Sequence, residues 1–363
     1  MTLRILHLIA SLGTGGAERQ VSLLLPLMQR NGTSASLCYH TDGPNSDALI
    51  AGDVPLHRLP PRASHDPRLL TDIRYIVAQV KPHIIQTWLP QMDILGGLVA
   101  HWMGVPHILS ERSSAGMYAK GGWKNRFRVA IGKSARAIIA NSDSGLDYWR
   151  SQGAQTQLHV VRNALTPPST EPAPLAQMGL EGRPLLIAAG RLSHEKNVAV
   201  LVKAIAGALL KLPEHHGVIF GEGPEREDTL ALIEATGLSG RLHLGGHTSN
   251  LSGWLRAADV FISASLMEGH PNVVIEAAAA GCPLVLSDIP AHREFAVGDS
   301  ALFAPAAHPG LLAAAMVQSV EARGQALIRA ARAQALTLPL SAQTAAQRYI
   351  DIYRSLLTET PHS

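Results

Sequence analysis

The feature that most limits how this chain can fold is a repeated change of hydrophobic period. Apolar runs of strand length alternate with longer segments of helical period. Residues 3–10 read as a strand and 17–30 as a helix; 83–88 read as a strand and 93–103 as a helix that stops before Gly104 and Pro106. Residues 106–110 and 137–141 read as further strands, 144–151 as a short helix, and 156–162 as a segment leading to Asn163. The alternation resumes with strands at 185–189, 216–221, 241–245, 259–263 and 283–286, and helices at 196–211, 224–236, 249–257 and 272–280. Parallel neighbours need a crossover long enough for a helix, and strands covered on both faces read as unbroken apolar runs. The pattern predicts an α/β fold built on parallel sheets flanked by helices.

Between the two series, residues 167–184 hold five prolines and little periodicity, and read as a linker. The predicted division is 1–167 for an amino-terminal Rossmann-like domain and 168–340 for a carboxyl-terminal one. Two such domains facing each other leave a cleft at the carboxyl ends of their strands. A final segment, 341–363, carries Tyr349, Ile352, Tyr353 and Leu356 at helical spacing and predicts one more helix with an apolar face.

Composition agrees with two packed cores. The chain has 363 residues, 46% hydrophobic but only 4% aromatic, so Ala, Leu, Val and Ile must fill the interior. The two cysteines, Cys38 and Cys282, lie far apart in apolar surroundings and read as reduced core thiols, outside any metal-ligand spacing. The opening MTLRILHLIA runs straight into a glycine turn and charged residues, which reads as a first strand and not a secretory leader. No run of 18 uncharged apolar residues exists to span a bilayer. These features predict a cytoplasmic protein.

Charge is unevenly divided. Residues 1–167 carry 17 Lys and Arg against 10 Asp and Glu, net +7, and the remainder carries 14 against 18, net −4. The excess gathers in 118–136, with Lys120, Lys124, Arg126, Arg128, Lys133 and Arg136 around Trp123 and Phe127. A solvated helix face is one reading. Peripheral contact with an anionic membrane, at the inner face of the cell membrane, is the other. Nucleic acid is not expected, since no recognition motif accompanies the patch.

The most pointed motif is Ser265-Leu-Met-Glu-Gly-His-Pro-Asn-Val-Val-Ile-Glu276. A buried strand, a polar loop and a helix N-terminus together offer a place for a phosphorylated ligand. Glu268 and Glu276 then have hydroxyl groups to grip. Upstream, Gly190-Arg-Leu-Ser-His-Glu-Lys196-Asn follows a strand, and Arg191 and Lys196 suit a diphosphate; a surface pair bound only to Glu195 is the plainer reading. Gly221-Glu-Gly-Pro-Glu225 is a second glycine turn into a helix, and Gly245-Gly-His247 ends a strand where a base could lie. In the first half, Gly13-Thr-Gly15-Gly16-Ala-Glu18 follows strand one but puts Glu18 where a dinucleotide fingerprint needs its third glycine, and it lacks the Lys of a phosphate-binding P-loop. No Asp-x-Asp triplet or His/Cys cluster suggests a metal.

With GTGGAER at 13–19, RNAL at 162–165, GRLSHEKN at 190–197, GEGPE at 221–225 and the Glu268–Glu276 run, the chain resembles the retaining glycosyltransferases of family 4, the glycosyl transferases group 1, with the two-domain GT-B fold. The resemblance implies transfer of a sugar from a UDP- or other nucleotide-diphosphate sugar to an acceptor hydroxyl, with retention, no cofactor and no metal. It implies that Glu276 grips the donor ribose, that Arg191 and Lys196 neutralise the leaving diphosphate, and that Glu268 lies by the donor sugar. Backbone at Gly190, Gly221, Gly269, Asn272, Val273 and Val274, with His247, would complete the donor site. Gly15 and Gly16 would close over the reacting centre. The last helix would cross back to the amino-terminal domain. Many relatives carry a His after the strand equivalent to 106–110, where this chain has Glu111; that carboxylate is expected to accept a sugar hydroxyl, to steady a positive anomeric carbon, or merely to pair with Arg112. Trp88 and Gln91 are candidates for an acceptor pocket. A glycan or lipid-linked acceptor, in surface-polysaccharide assembly, fits the basic aromatic patch. A nucleotide-sugar epimerase or phosphorylase with the same cleft, and a non-enzymatic envelope-assembly scaffold, are the competing readings.

Overall fold

The computed structural model describes residues 2–113, 122–166 and 168–358. They form two compact units: the chain up to Ala164 together with the stretch from Leu340, and Leu165–Pro339.

The first unit is built on a seven-stranded parallel sheet of β1 (Leu3–Ser11), β2 (Thr33–Thr41), β3 (Leu56–Arg58), β4 (Ile84–Trp88), β5 (His107–Glu111), β6 (Ala137–Ala140) and β7 (Gln157–Val160), ordered β3-β2-β1-β4-β5-β6-β7. Its helices are α1 (Gly16–Arg30), α2 (Ser46–Ala51), α3 (Arg68–Val80), α4 (Pro90–Met103), α5 (Trp123–Ser134) and α6 (Asp143–Ser151). The second unit has a six-stranded parallel sheet of β8 (Leu185–Ala189), β9 (His216–Phe220), β10 (Leu242–Gly246), β11 (Val260–Ser263), β12 (Leu284–Ser287) and β13 (Leu302–Ala304), ordered β10-β9-β8-β11-β12-β13. Around it lie α7 (Val198–Leu209), α8 (Arg226–Ala235), α9 (Leu251–Ala257), α10 (Asn272–Ala279), α11 (Pro290–Phe295), α12 (Pro309–Glu321) and α13 (Arg323–Ala335). The last helix, α14 (Ala342–Thr358), belongs to the first unit. The expectation of two Rossmann-like parallel sheets holds. Sequence reasoning passed over β2, α2, β3, α3, β13 and α11–α13.

Each sheet reverses direction beside its first strand, between β1 and β4 and between β8 and β11. At such a switch point adjacent loops diverge, and ligands lie outside the carboxyl ends of the strands. β4 and β6 are buried along their whole length, as expected for central parallel strands.

Helix α14 packs on α1 through Tyr349, Ile350, Tyr353 and Leu356, in one core with Val21, Leu24 and Trp88. Burying each such side chain contributes about 1.5–3 kcal/mol. The Tyr353 hydroxyl donates to Gln86 Oε1, and Gln86 Nε2 donates to Ser110 Oγ at 2.6 Å, which pairs these polar groups inside the core.

The proline-rich segment is not a free tether. Ser169 N donates to Ser252 Oγ at 3.2 Å, Arg256 binds the carbonyls of Ser169 and Glu171, and Asn250 Nδ2 donates to Pro172 O at 2.8 Å. Residues 169–172 are thus tied to α9 and its N-cap within the second unit. Among the described residues no helix is long and apolar enough to cross a membrane.

Candidate functional site

Four loops at the carboxyl edge of the second sheet are locked to one another by backbone bonds. Gly190 N donates to Phe220 O at 3.0 Å, Leu192 N to Glu222 O at 2.9 Å and Gly221 N to Gly246 O at 2.8 Å. Leu266 N donates to Glu195 O at 2.9 Å and so ties the loop after β11 to the one after β8. The glycines make this approach possible. Gly221 has φ 142°, and a Cβ there would lie 1.8 Å from the Gly190 carbonyl oxygen; at Gly223, φ 159°, it would lie 2.3 Å from Leu192 O. No side chain fits at either position. Asn197, in a left-handed conformation at φ 57°, completes the frame by donating to Ala264 O at 3.1 Å and Ala306 O at 2.9 Å.

Within this frame Lys196 and Glu268 meet. Lys196 Nζ is 2.5 Å from Glu268 Oε1, and both side chains remain partly exposed, at 25% and 13%. The Ser265 hydroxyl donates to the same oxygen at 2.8 Å. The plainer expectation, Arg191 and Lys196 tied only to Glu195, is therefore wrong for Lys196. Glu195 accepts from Ser193 Oγ at 2.6 Å. Burial opposes ionisation of Glu195, but that hydroxyl, a backbone N–H and the Lys196 and Arg191 charges together hold its carboxyl below the usual range. Arg191 is exposed, and its guanidinium makes no hydrogen bond or ion pair among the described residues, although its carbonyl oxygen accepts from Ser193 Oγ at 3.4 Å.

Helix α10 starts beside this pair. Its first internal bond runs from Ile275 N to Pro271 O at 3.1 Å, so the N–H groups of Val273 and Val274 have no partner within the helix. Glu276 is half-buried on its second turn, Gly269 half-buried in the preceding loop, and His247 exposed after β10. The structure thus gathers Gly190, Arg191, Lys196, Gly221, Glu268, Gly269, Asn272, Val273, Val274 and Glu276 on the loops and helix starts after β8, β9 and β11.

Sequence reasoning missed Ser263, Ser265 and His292. Ser265 stands three residues before Glu268, which could have marked it; nothing local marked His292, which is fully buried on α11. Burial pushes its ring below the usual imidazole range, with the Ser287 carbonyl and Glu268 opposing.

The carboxyl edge of the first sheet differs. The Gly13–Gly16 turn is open to solvent, but a Cβ at Gly15 would lie 2.3 Å from Glu18 Oε2, because Glu18 folds back to accept from Ser11 Oγ at 2.9 Å. Glu111 pairs with Arg128, not Arg112, and has no exposed surface. Arg128 Nη2 donates to Glu111 Oε2 at 2.9 Å and its Nε to Asp93 Oδ2 at 2.7 Å, while Trp149 Nε1 donates to Glu111 Oε2 at 3.0 Å. A carboxylate enclosed in this way has no face for a sugar hydroxyl, so the expectation for Glu111 is corrected to a structural ion pair. Burial pushes the Asp93 carboxyl up to about 6, against the Arg128 charge and hydrogen bond that pull it down.

Arg128 likewise leaves the basic surface patch. On α5 it faces inward with Ile131 and Gly132. Trp123 and Phe127 are exposed, at 73% and 41%, as are Lys124, Arg126 and Lys133. Lys120 lies outside the described residues. Trp88 is fully buried and donates to His7 Nδ1 at 3.1 Å, so it belongs to the core and not to an acceptor pocket. Gln91 Nε2 donates to Ser64 O at 2.8 Å. Arg112 stacks over Trp88 at 4.2 Å, donates to Asn163 Oδ1 at 2.9 Å and reaches the Tyr349 hydroxyl of α14. Cys38 and Cys282 are buried free thiols pushed well above the usual range by burial. Among the described residues no three His, Cys, Asp or Glu side chains gather to hold a metal ion.

Comparison with known proteins matches both units. The family described as Glycosyltransferase Family 4 matches residues 14–167, and Glycosyl transferases group 1 matches residues 183–322. The lipopolysaccharide core biosynthesis glycosyltransferase LpsE of Rhizobium meliloti is 24% identical over 280 residues, 75% of each chain. An N-acetylgalactosaminyltransferase of Campylobacter jejuni that acts on a diphospho-undecaprenol-linked saccharide is 26% identical over 308 residues, 77% of this chain and 79% of that one. Among solved structures, Anabaena HepE in complex with UDP and glucose superposes with a TM-score of 0.86 at 19% identity, over 97% of this chain and all of that one. With one unit matched by each half of the family's signature, the chain belongs to the group 1, family 4 glycosyltransferases and has their GT-B-type pair of Rossmann-like domains.

Proposed function

We propose that this glycosyltransferase takes its sugar from a nucleotide-diphosphate donor held at the carboxyl edge of the second sheet. The observation that carries the reading is the Lys196–Glu268 pair beside the exposed Arg191 and the N-terminus of α10. A leaving diphosphate gains charge as the glycosidic bond breaks, and fixed cations and helix N–H groups aimed there act most strongly at that moment. Arg191 and Lys196 neutralise the diphosphate. Glu268 shares Lys196 and accepts a donor-sugar hydroxyl. Glu276 accepts the ribose hydroxyls, backbone at Gly190, Gly221 and Gly269 lies along the nucleotide, and His247 flanks the base. The reaction retains anomeric configuration without a protein nucleophile, the donor phosphate taking the acceptor proton, and needs no metal.

The acceptor is proposed to be a lipid-linked saccharide in surface-polysaccharide assembly. Both relatives above act in glycan assembly by their names, and Trp123, Phe127, Lys124 and Arg126 form an exposed basic aromatic face suited to the cytoplasmic leaflet of the membrane.

The test is calorimetric titration with UDP-, GDP- and ADP-sugars in the presence of a chelator. One of them should bind, and Glu276→Ala should weaken it by about 1.5–3 kcal/mol, one charge-assisted hydrogen bond. Unchanged affinity in a folded Glu276→Ala protein removes Glu276 from the ribose role. Binding or transfer that appears only on adding Mg²⁺ or Mn²⁺ removes the metal-free reading.

A further inference from the structure

Lys196 is followed directly by a residue whose side chain joins separate loops. The amide of Asn197 has two hydrogens, and both are used: Nδ2 donates to Ala264 O at 3.1 Å and to Ala306 O at 2.9 Å. Both partners are carbonyl oxygens, which only accept, so the amide has a single orientation. The backbone of Asn197 is left-handed, at φ 57° and ψ 46°, a region Asn enters more readily than most residues. Its N–H donates to His194 O at 3.0 Å and closes the 3₁₀ turn His194–Lys196. Its carbonyl oxygen accepts from Val200 N and Leu201 N, each at 3.1 Å, and so starts α7. One residue therefore ties three loops of the carboxyl edge: the one after β8 that carries Lys196, the one after β11 that runs from Ala264 to Glu268, and the one after β13 that holds Ala306.

We propose that Asn197 is a positioning residue of the donor site: by binding Ala264 and Ala306 through one amide it fixes the turn that carries Lys196 against the loop that carries Glu268, and so holds the ammonium where a diphosphate can take it up. The inference rests on the reading of Lys196 as a diphosphate ligand. Both neighbours of Lys196 are attached to the same loop. Glu195 O accepts from Leu266 N at 2.9 Å on one side, and Asn197 Nδ2 reaches Ala264 O on the other. The first bond alone would leave a single pivot. The amide adds two more points of attachment, and three points stop the turn from rotating. The Lys196 stem then lies along Gly190, where a Cβ would be 3.6 Å from its Cδ and Cε, and its Nζ meets Glu268 Oε1 at 2.5 Å. A long flexible side chain finds one partner reliably only when its own backbone is held.

The test uses Asn197→Gly, which accepts the left-handed backbone without strain and removes only the amide. Its first arm needs no ligand. In protein labelled with ¹³C at glutamate side chains, the Glu268 carboxyl resonance is assigned by its loss in Glu268→Gln. Lys196→Ala should move that resonance. Asn197→Gly should move it the same way by a smaller amount, and in a Lys196→Ala background should move it no further. In the second arm UDP is the calorimetric probe. Asn197→Gly should weaken UDP binding about 3- to 10-fold, the scale of a lost hydrogen bond, and should have no further effect in the Lys196→Ala background. A residue that only stabilised the fold would lower the melting temperature and leave both cycles additive. An unmoved Glu268 resonance in folded Asn197→Gly, or a UDP effect that adds in full to that of Lys196→Ala, overturns the proposal. Should Asn197→Gly fail to fold, Asn197→Asp, which keeps the shape but sets an oxygen against both carbonyls, takes its place in the same cycles. Loss of the fold in both variants would make Asn197 a structural residue and overturn the proposal too. Failure of wild type to bind UDP, GDP or ADP would sink the donor-site reading, and the Glu268 resonance would still judge whether Asn197 positions Lys196.

Discussion

The two units carry charged residues near the carboxyl edges of their sheets and treat them oppositely. At the first, Asp93, Arg128 and Glu111 form a triad sealed from water. At the second, Lys196 and Glu268 form a pair that solvent still reaches, and Arg191 extends outward. A buried triad is costly to desolvate and holds together only because each charge is matched. A partly wet pair can exchange one partner for a ligand, since the ammonium's hydrogen bonds can be remade to phosphate oxygens. Similar βα frames thus give a fixed brace in one unit and an exchangeable charge in the other. The brace clamps α5 to α4 and to the end of β5.

Substitutions that break the comparison should separate cleanly into stability and turnover. Arg128→Met should have the largest effect, because it leaves Asp93 and Glu111 buried together without a cation. The expected loss is about 3–5 kcal/mol of stability, measured by denaturant unfolding. A loss under about 1 kcal/mol, the scale of a surface pair, would mean the brace is not sealed.

The same triad gives a pH signature. Burial raises the Asp93 carboxyl from 3.8 to about 6, so between those values the folded chain binds a proton that the unfolded chain has released. A group raised in this way adds stability at low pH that is lost as pH rises through the window. Wild type should therefore lose ground to Asp93→Asn between about pH 4 and pH 6, by up to about 3 kcal/mol. Parallel stability curves for the two proteins would exclude Asp93 as the titrating group.

Lys196→Ala probes the other edge. Turnover at saturating donor should fall on the order of 100-fold, the usual consequence of removing one preorganised stabiliser of transition-state charge. Its melting temperature should stay near that of wild type, because the pair is half-wet. A variant that loses stability and keeps turnover would make Lys196 a brace like Arg128.

The smallest effect concerns the basic face. Lys124→Gln with Arg126→Gln should weaken binding to anionic vesicles by about 1 kcal/mol per charge, read by co-sedimentation at low and high salt. Arg128 is left out of that variant because it is buried. Equal binding of both proteins would return the segment to a plain solvated helix face.

The α/β class was legible because its signal is local. A buried strand writes itself as four or five consecutive apolar residues, LLIAA in β8 or AIIA in β6, whatever surrounds it. The short β3 and β13 carry too few residues for that signal, and β2, TSASLCYHT, dilutes it with polar side chains. The donor-side candidates were legible for a related reason. Glycine turns and helix starts fix the backbone within a few residues, so Arg191, Lys196, Glu268 and Glu276 could be read together. The misreadings fell where a side chain's setting depends on distant segments. Arg128 sits in a basic run and looks like its neighbours; only the stripe it shares with Ile131 and Gly132 hints that it turns inward. Glu111 found its partner 17 residues away, and Trp88 met a histidine 81 residues away.

The sequence by itself determined the alternation of strands and helices, the glycine turns whose backbone admits no side chain, and the spacing that puts Glu268 and Glu276 on either side of one helix start. All of these follow from steric limits and periods that act over a few residues. Tertiary structure alone decided which charges are sealed and which are exchangeable. Burial is set by packing between segments that the chain order does not bring together: α5 onto α4, α14 onto α1, and α11 bringing His292 behind Ser265. The same residue type can therefore be a brace at Arg128 and an open cation at Arg191, because its desolvation is a property of the assembled fold and not of its neighbours in sequence.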